Sequence, residues 1–348
     1  MAENENCQHG IPIPQEVNTI SIIGAGGWGT ALATLIARNG HSVRLWARRA
    51  ELADNLDRDR INPLYLPGIQ IPRSIVVTSM LPEVATGDVL LFVTPSVSLR
   101  RVASELWATS LVRSSTIIIS AVKGIEHQSG LRMSEVLSEI FRENPILVLS
   151  GPNHAAEVAR FIPTATVIGA TSEETGERLQ RIVSTRSFRA YTSPDIVGVE
   201  LGGALKNIFA IAAGIADGLG LGENSKAALV TRSLAEMSRL GMALGGRRAT
   251  FQGLSGAGDL IVTCFSRHSR NRRVGERIGQ GERVDAIQHS MQMVAEGVPT
   301  ARSARDCAKR QSVSTPIIDE VYSILYEDAA PAAAMERLIS RSLRPEED

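Results

Sequence analysis

Thr19-Ile20-Ser21-Ile22-Ile23-Gly24-Ala25-Gly26-Gly27-Trp28-Gly29-Thr30 joins a short apolar run to three spaced glycines and then to a helix-like stretch, Thr30–Arg38. With a strand before it and a helix after it, G-x-G-x-x-G is the fingerprint of a dinucleotide-binding turn. Gly24 allows the tight turn, Gly26 lets the backbone approach a pyrophosphate, and Gly29 permits close helix–strand packing, with the helix N-terminus facing the anion. A glycine turn of purely structural use is the bland alternative, and the flanking strand and helix weigh against it.

The next apolar run, Val43–Trp46, bears on which dinucleotide is bound. An acidic residue about 20 positions past the glycines would hold the 2′-hydroxyl of NAD, but this strand ends in Ala47-Arg48-Arg49. Two guanidiniums there suit a 2′-phosphate, so NADP(H) is expected to be preferred, with NAD(H) as the second choice. Further runs at Val89–Val93, Thr116–Ala121, Ile146–Leu149, Thr166–Ile168 and Phe188–Tyr191 alternate with helix-like segments. That alternation implies crossovers and a mainly parallel sheet, and runs apolar throughout befit strands covered on both faces. Thr171 and Glu174 have the spacing of a capping box and predict a helix to about Thr185.

Beyond Pro194 the pattern changes to Ala-, Leu- and Gly-rich helical segments at Val199–Gly214, Lys226–Leu244, Arg270–Gly279 and Val298–Arg310. The expected fold class is therefore α/β: an N-terminal Rossmann-type domain over 19–194, then an all-helical domain over 195–348, preceded by a polar tail over 1–18. A chain of 348 residues accommodates two such domains around one cleft.

Composition narrows the function. The 37 Lys+Arg balance 37 Asp+Glu, which leaves no global attraction to nucleic acid or anionic membrane, so any phosphate recognition is local. Cys7, Cys264 and Cys307 are far apart, with no metal-ligand spacing around them, and no metal site is expected. The first eighteen residues carry Glu3, Glu5 and Glu16 and no Lys or Arg, unlike a secretory or transit segment, so a cytoplasmic location is expected. The most apolar long stretch, Leu201–Gly222, is interrupted by Lys206 and Asp217 and reads as a buried helix rather than a membrane span.

In a doubly wound sheet, ligands sit beyond the carboxyl ends of the strands. Polar groups occur there in Thr94-Pro95-Ser96, Lys123-Gly124 and Ser150-Gly151-Pro152-Asn153. Lys123 is placed to meet a negative substrate or polarise a carbonyl, or else it is a solvated surface lysine. In Gly202-Gly203-Ala204-Leu205-Lys206-Asn207, a lysine stands in an apolar helix. Burial would lower its pKa and fit it for proton transfer; the alternative is an ammonium snorkelling to water. Gly253–Leu260 reads as a flexible loop presenting Asp259, able to orient a lysine or to cap the following helix. Ser266–Arg273 holds four arginines at a helix start, an anion site by residue type, with a nucleic-acid patch as the weaker alternative.

In their order, the fingerprint, Ala121-Val122-Lys123-Gly124, Gly151-Pro152-Asn153-His154-Ala155-Ala156-Glu157, Gly202–Asn207, Gly256-Ala257-Gly258-Asp259-Leu260 and Ser269-Arg270-Asn271 closely resemble the NAD(P)-dependent glycerol-3-phosphate dehydrogenases of the bacterial type. The resemblance runs from about Thr19 to about Leu338. It implies reversible reduction of dihydroxyacetone phosphate to sn-glycerol 3-phosphate, which feeds glycerophospholipid synthesis. It implies Lys206 as the catalytic proton donor and acceptor, and Lys123, Gly151, Asn153, Lys206, Asp259, Ser269, Arg270 and Asn271 as substrate contacts. Gly27, Trp28, Arg48, Lys123, Ala155, Arg270, Val294 and Glu296 are the implied cofactor contacts, beside Gly24, Gly26 and Gly29 of the fingerprint. The partner is thus a small molecule, not nucleic acid or membrane, and a homodimer is the expected assembly. A related Rossmann-plus-helical hydroxyacid dehydrogenase and a non-catalytic NAD(P)-binding sensor are the alternatives.

Overall fold

The computed structural model describes residues 17–291, 293–342 and 345–346; the tail expected over 1–18 falls outside this range except for Val17 and Asn18. Ten strands are formed: β1 (Thr19–Ile23), β2 (Ser42–Trp46), β3 (Ile61–Asn62), β4 (Leu66–Gln70), β5 (Val76–Thr78), β6 (Val89–Phe92), β7 (Ile117–Ser120), β8 (Ile146–Ser150), β9 (Thr164–Gly169) and β10 (Phe188–Ser193). Eight make one sheet in the order β10-β9-β8-β7-β6-β1-β2-β5, and β3 and β4 form a separate antiparallel pair. All neighbours in the large sheet run parallel except β8 and β9. The order turns back between β1 and β6, and a crevice opens at such a switch point beyond the strand carboxyl ends. Ile22 of β1 lies opposite Leu45 on one side and Leu91 on the other. Every residue of β6 and β7 is buried, as expected for central parallel strands.

The sheet departs from the sequence reading on its β2 side. The pair β3–β4 and the edge strand β5 are short, and Pro67 and Gly68 interrupt the β4 pattern, so periodicity gave no signal for them. The helix expected from a Thr171–Glu174 capping box instead spans Glu173–Val183, and its N-cap is Ser172, whose hydroxyl accepts from the Thr175 amide at 3.3 Å. A capping hydroxyl reaches the N–H three residues on, and Ser172 holds that register.

From Ile196 onward the described residues are helical or irregular, and no strand occurs among them. The helix Ile196–Gly218 is the axis of this half. It is long and apolar enough to cross a membrane, with a mean hydropathy of 1.5 over its best window, yet 89% of that window is buried inside the protein. Its small residues explain how the next helices come so close. A Cβ on Gly214 or Gly218 would overlap backbone of the helix Arg270–Gly279, and one on Gly275 or Gly279 would strike the central helix in return. These paired glycines bring the start of that helix onto the central one, where Asn271 meets Asn207. The core around this helix gathers Leu205, Phe209, Met237 and Leu240, while separate apolar layers cover the two faces of the sheet.

Candidate active site

The fingerprint turn fits a dinucleotide pyrophosphate. Gly24 has φ +129, which favours glycine, and a Cβ there would lie 2.8 Å from the Val93 carbonyl. A Cβ on Gly29 would overlap the Gly24 carbonyl, whereas one on Gly26 would meet nothing within 4 Å. Gly24 and Gly29 are thus required by the fold, and the space at Gly26 is left for a ligand. The helix that follows spans Gly27–Arg38, three residues earlier than the sequence suggested, with no acidic residue in its first turn to oppose an anion. Asn62 of the β3–β4 pair, fully buried, donates to the Ala25 carbonyl at 3.1 Å and to Thr30 Oγ1 at 2.9 Å, fixing the turn from outside. Sequence reading missed Asn62, although the dipeptide Asn62-Pro63 is a turn signal. Trp28 packs against Phe188 with ring centroids 6.5 Å apart, so what it offers a ligand at the helix start is its backbone. Arg48 is exposed just past β2 and has no hydrogen-bond or ion-pair partner among the described residues, whereas Arg49 reaches the Tyr65 hydroxyl at 3.4 Å.

Two lysines, far apart in sequence, meet on one carboxylate. Lys206 Nζ, from the middle of the central helix, donates to Asp259 Oδ1 at 2.9 Å and to Thr263 Oγ1 at 2.6 Å. Lys123 Nζ, arriving from the loop after β7, donates to Asp259 Oδ2 at 2.6 Å and to the Gly151 carbonyl at 3.1 Å. Thr263 Oγ1 spends its own proton on the Asp259 carbonyl at 2.6 Å, so it accepts from the lysine. Side-chain exposure is 9% for Lys206 and 2% for Asp259, which rules out snorkelling. Burial pulls the Lys206 ammonium down to about 8, repulsion from Lys123 adds to this, and Asp259 opposes it. The two lysines hold the Asp259 carboxyl below its usual range despite its burial.

Asp259 lies on neither a flexible loop nor a capping position. Leu254–Gly258 forms a turn of π-helix that runs directly into the helix Asp259–Phe265. A Cβ on Gly202 would approach the Ser255 carbonyl to 2.6 Å, so the turn is seated against the central helix, and its glycines serve close packing. Asp259 then belongs to a first helical turn, with its carboxylate free for the lysines. Cys264 is fully buried beside Thr263, and burial pushes its thiol up to about 12, which suits packing and not nucleophilic attack.

The remaining candidates fall into two groups. Ser269 caps the helix Arg270–Gly279 by accepting from the Arg272 amide at 3.2 Å, and its hydroxyl proton stays available. Arg270 donates to the Val294 carbonyl at 2.8 Å, which joins two of the expected cofactor contacts. Glu296 accepts from the Ser96 amide at 3.1 Å and hydroxyl at 2.5 Å, tying the helical half to the loop after β6. In contrast, the amide of Asn271 is engaged by Asn207 Oδ1 at 2.8 Å and the Gly297 N–H at 2.9 Å. Asn153 turns into β9, donating to Ala165 O at 2.8 Å and accepting from Thr166 Oγ1 at 2.9 Å. These two asparagines hold the cleft walls in place. Gly151 has φ +153 at the end of β8, and Ala155 opens the short helix Ala155–Ala159 next to it. Arg272 is buried against Asp217 and Glu276, so the run of arginines is no continuous surface patch for nucleic acid.

Three buried polar atoms without a protein partner lie along the strand ends: Thr94 Oγ1, Ser150 Oγ and His154 Nε2. Buried polar atoms are ordinarily paired, and Ser150 Oγ and the Lys123 side chain both crowd the position of a Cβ on Gly203, so this hydroxyl sits beside the lysines. Together with the open backbone at Gly26, they fit a site built for a dinucleotide and a small polar substrate.

Comparison with known proteins agrees in both halves. Residues 19–176 match the family described as NAD-dependent glycerol-3-phosphate dehydrogenase N-terminus, and 195–336 match its C-terminus. The chain is 48% identical over 333 residues to the glycerol-3-phosphate dehydrogenase [NAD(P)+] of Syntrophotalea carbinolica, covering 94% of this chain and 99% of that protein. It is 46% identical over 331 residues to the enzyme of that name from Geobacter sulfurreducens, covering 94% and 98%. The crystal structure of glycerol-3-phosphate dehydrogenase from Coxiella burnetii superposes with a TM-score of 0.90 at 36% identity, covering 95% of this chain and all of that one.

Proposed function

The chain belongs to the NAD-dependent glycerol-3-phosphate dehydrogenases, and on that premise we propose that it reversibly reduces dihydroxyacetone phosphate to sn-glycerol 3-phosphate with NAD(P)H. The observation that carries the reading is the buried Lys206–Asp259–Lys123 cluster at the strand ends. A non-catalytic sensor has no use for a buried lysine poised between its two protonation states.

Gly24, Gly26, Gly27, Trp28 and Gly29 would hold the pyrophosphate of NAD(P)H, which would supply the hydride that the carbonyl carbon takes up. The carbonyl oxygen gains negative charge, and Lys206 Nζ stabilises that charge and delivers a proton to it. Two of the three ammonium hydrogens are engaged by Asp259 and Thr263, which leaves one for the substrate oxygen. A pKa of about 8 lets the same nitrogen give a proton in reduction and take one in oxidation. Lys123 adds positive charge on the opposite side of the carboxylate. Ser269 and Arg270, at a helix start, hold the substrate phosphate and spend that binding on orienting the carbonyl. Asn153 and Asn271 act as positioning residues, since their amides are taken up by β9, Asn207 and Gly297. Gly151, whose carbonyl accepts from Lys123, lies on the substrate side, and Ala155, Val294 and Glu296 line the cofactor side.

Arg48, exposed past β2 with no acidic residue beside it at the strand end, favours the 2′-phosphate of NADP(H), with NAD(H) accepted. The division into a dinucleotide-binding half over 19–194 and a helical half over 195–348 assigns the cofactor to the first and the proton-transfer lysine to the second. A cytoplasmic homodimer completes the reading. The test is the initial rate of NADPH and NADH oxidation driven by dihydroxyacetone phosphate, against unphosphorylated dihydroxyacetone and a no-substrate control. Lys206→Ala should remove most of that turnover while leaving cofactor affinity within about twofold, since the lysine ammonium acts on the substrate side; equal losses in both refute the role.

A further inference from the structure

The arginine run Ser266–Arg273 supplies Arg270 to the proposed phosphate grip, and Arg272 is left without a role in it. The Arg272 side chain is 10% exposed, and all three of its guanidinium nitrogens are engaged. Nε donates to the Ser266 carbonyl at 3.1 Å, Nη1 to Asp217 Oδ2, and Nη2 to Glu276 Oε2 at 3.1 Å. Its backbone N–H goes to Ser269 Oγ at 3.2 Å. Asp217 Oδ2 also accepts from Lys226 Nζ at 2.8 Å, and that ammonium, on a side chain 8% exposed, lies 4.8 Å from the centre of the Phe265 ring. A second carboxylate thus holds two cations, as Asp259 does. Lys226 and Arg272 are balanced in charge by Asp217 and Glu276, so the cluster offers no net attraction to an anion. Asp217 stands in the last turn of the central helix Ile196–Gly218, where the dipole disfavours a negative charge. Its carboxylate therefore serves the contacts it makes rather than its own helix.

What the cluster supplies is position. The turn Ser266–Ser269 joins the helix Asp259–Phe265, which carries the partners of Lys206, to the helix Arg270–Gly279, which begins with the phosphate grip. The Ser266 carbonyl accepts from the Ser269 N–H at 3.2 Å as well as from Arg272, so one guanidinium closes the turn, while Lys226 holds its other end through Phe265. A three-carbon substrate has a short, nearly fixed span from phosphate to carbonyl oxygen. We propose that Arg272, held by Asp217 and backed by Lys226, is a positioning residue that fixes the turn Ser266–Ser269 and so sets the span between the phosphate grip at Ser269 and Arg270 and the proton donor Lys206. This inference rests on the proposed reaction and deepens it.

The probe is inorganic phosphate, used as an inhibitor competing with dihydroxyacetone phosphate, because an inhibition constant does not depend on how much of a sample is folded. Asp217→Asn separates position from charge by sign. Were the cluster to act through its field alone, loss of a negative charge would tighten phosphate binding. Two cations repelling each other across an amide instead release the turn, and phosphate inhibition should weaken by about tenfold. Arg272→Lys keeps the charge but replaces the planar fork with a point donor, and should weaken inhibition by about the same factor. In both variants kcat/KM for dihydroxyacetone phosphate should fall by about 10- to 100-fold. NADPH affinity, read by quenching of intrinsic fluorescence, should stay within about twofold and certifies the fold. An inhibition constant unchanged in Arg272→Lys, or unchanged or lowered in Asp217→Asn, overturns the inference. If Asp217→Asn does not fold, Arg272→Lys decides alone; if neither folds, the cluster is there for stability and the inference is likewise overturned. Should wild type not turn over dihydroxyacetone phosphate, or phosphate not compete with it, the proposed reading falls first and the inference with it. Turnover and competition in wild type, with unaltered constants in the variants, remove the inference alone.

Discussion

Asp259→Asn tests the electrostatic logic of the site. The carboxylate receives Lys206 on one oxygen and Lys123 on the other, at 2.9 and 2.6 Å, with 2% side-chain exposure. An N···O distance of 2.9 Å puts the charge centres of Lys206 and Asp259 about 4 Å apart, worth about 4 kcal/mol at an effective dielectric of about 20. Asparagine keeps an acceptor toward Lys206 and recovers about 1 kcal/mol of this. It also leaves Lys123 repelling Lys206 without compensation. The Lys206 ammonium, already drawn down to about 8 by burial, therefore loses about 3 kcal/mol of the support that keeps it charged, and a factor of ten accompanies each 1.36 kcal/mol. Reduction needs the protonated lysine, so kcat/KM for dihydroxyacetone phosphate at pH 7.5 should fall on the order of a hundredfold. The loss should shrink as the pH is lowered, because acid restores the proton that the carboxylate no longer holds. Thr263 does not titrate, burial holds the His154 imidazole below its usual range, and the Cys264 thiol is pushed up to about 12, so none of the three generates a trend as pH rises through about 8. The assay is a pH profile of kcat/KM in the reductive direction for both proteins, since a midpoint does not depend on how much of a sample is folded. In wild type the rate should decline as pH rises through about 8. A variant with the wild-type midpoint and a loss independent of pH would show that Asp259 only scaffolds the lysines, and the argument would fail.

The fingerprint makes opposite predictions for two glycines. Gly26→Val should weaken NADPH binding at least tenfold with the melting temperature little changed, because its Cβ site is empty in the protein and needed by the ligand; Gly29→Ala should unfold or strongly destabilise the protein, because its Cβ overlaps the Gly24 carbonyl. Binding titrations and thermal melts of the two variants distinguish these outcomes, and equal melting temperatures would contradict the assignment. Arg48→Asp should reverse the preference from NADPH to NADH by replacing a phosphate partner with a hydroxyl partner; unchanged selectivity would place recognition of the 2′-phosphate elsewhere.

How much of this was legible in the sequence depends on the range of the interaction involved. Gly24, Gly26 and Gly29 are read within one turn: the backbone bears out the tight turn at Gly24 and the close packing at Gly29, and it leaves open space at Gly26. The mainly parallel sheet followed from runs such as Val89–Phe92, apolar on both faces because both faces are covered. Ser172 displaced Thr171 as a cap by a shift of one position, which spacing rules alone do not resolve. The strands β3 to β5 were missed since Pro67, Gly68 and single-residue irregularities break their periodicity, and with them went Asn62, whose bonds to Ala25 and Thr30 cross 37 and 32 positions.

The site shows the same limit more sharply. Lys206 was suspicious in sequence because an ammonium in an apolar helix must be paid for, but whether it snorkels or is buried depends on what covers it. The answer comes from residues 53 and 57 positions later. They can reach it because Gly202 admits the Ser255 backbone and the turn Leu254–Gly258 continues into helix, so that a segment read as a loose loop becomes the rigid mount of the carboxylate. Lys123 reaches the same carboxylate from the other half of the molecule, across 136 positions. A shared carboxylate therefore joins the two halves as well as the two lysines: Asp259 stays with the central helix to hold the proton of Lys206, while Lys123, from the strand ends, adds the repulsion that reinforces burial in lowering its proton affinity.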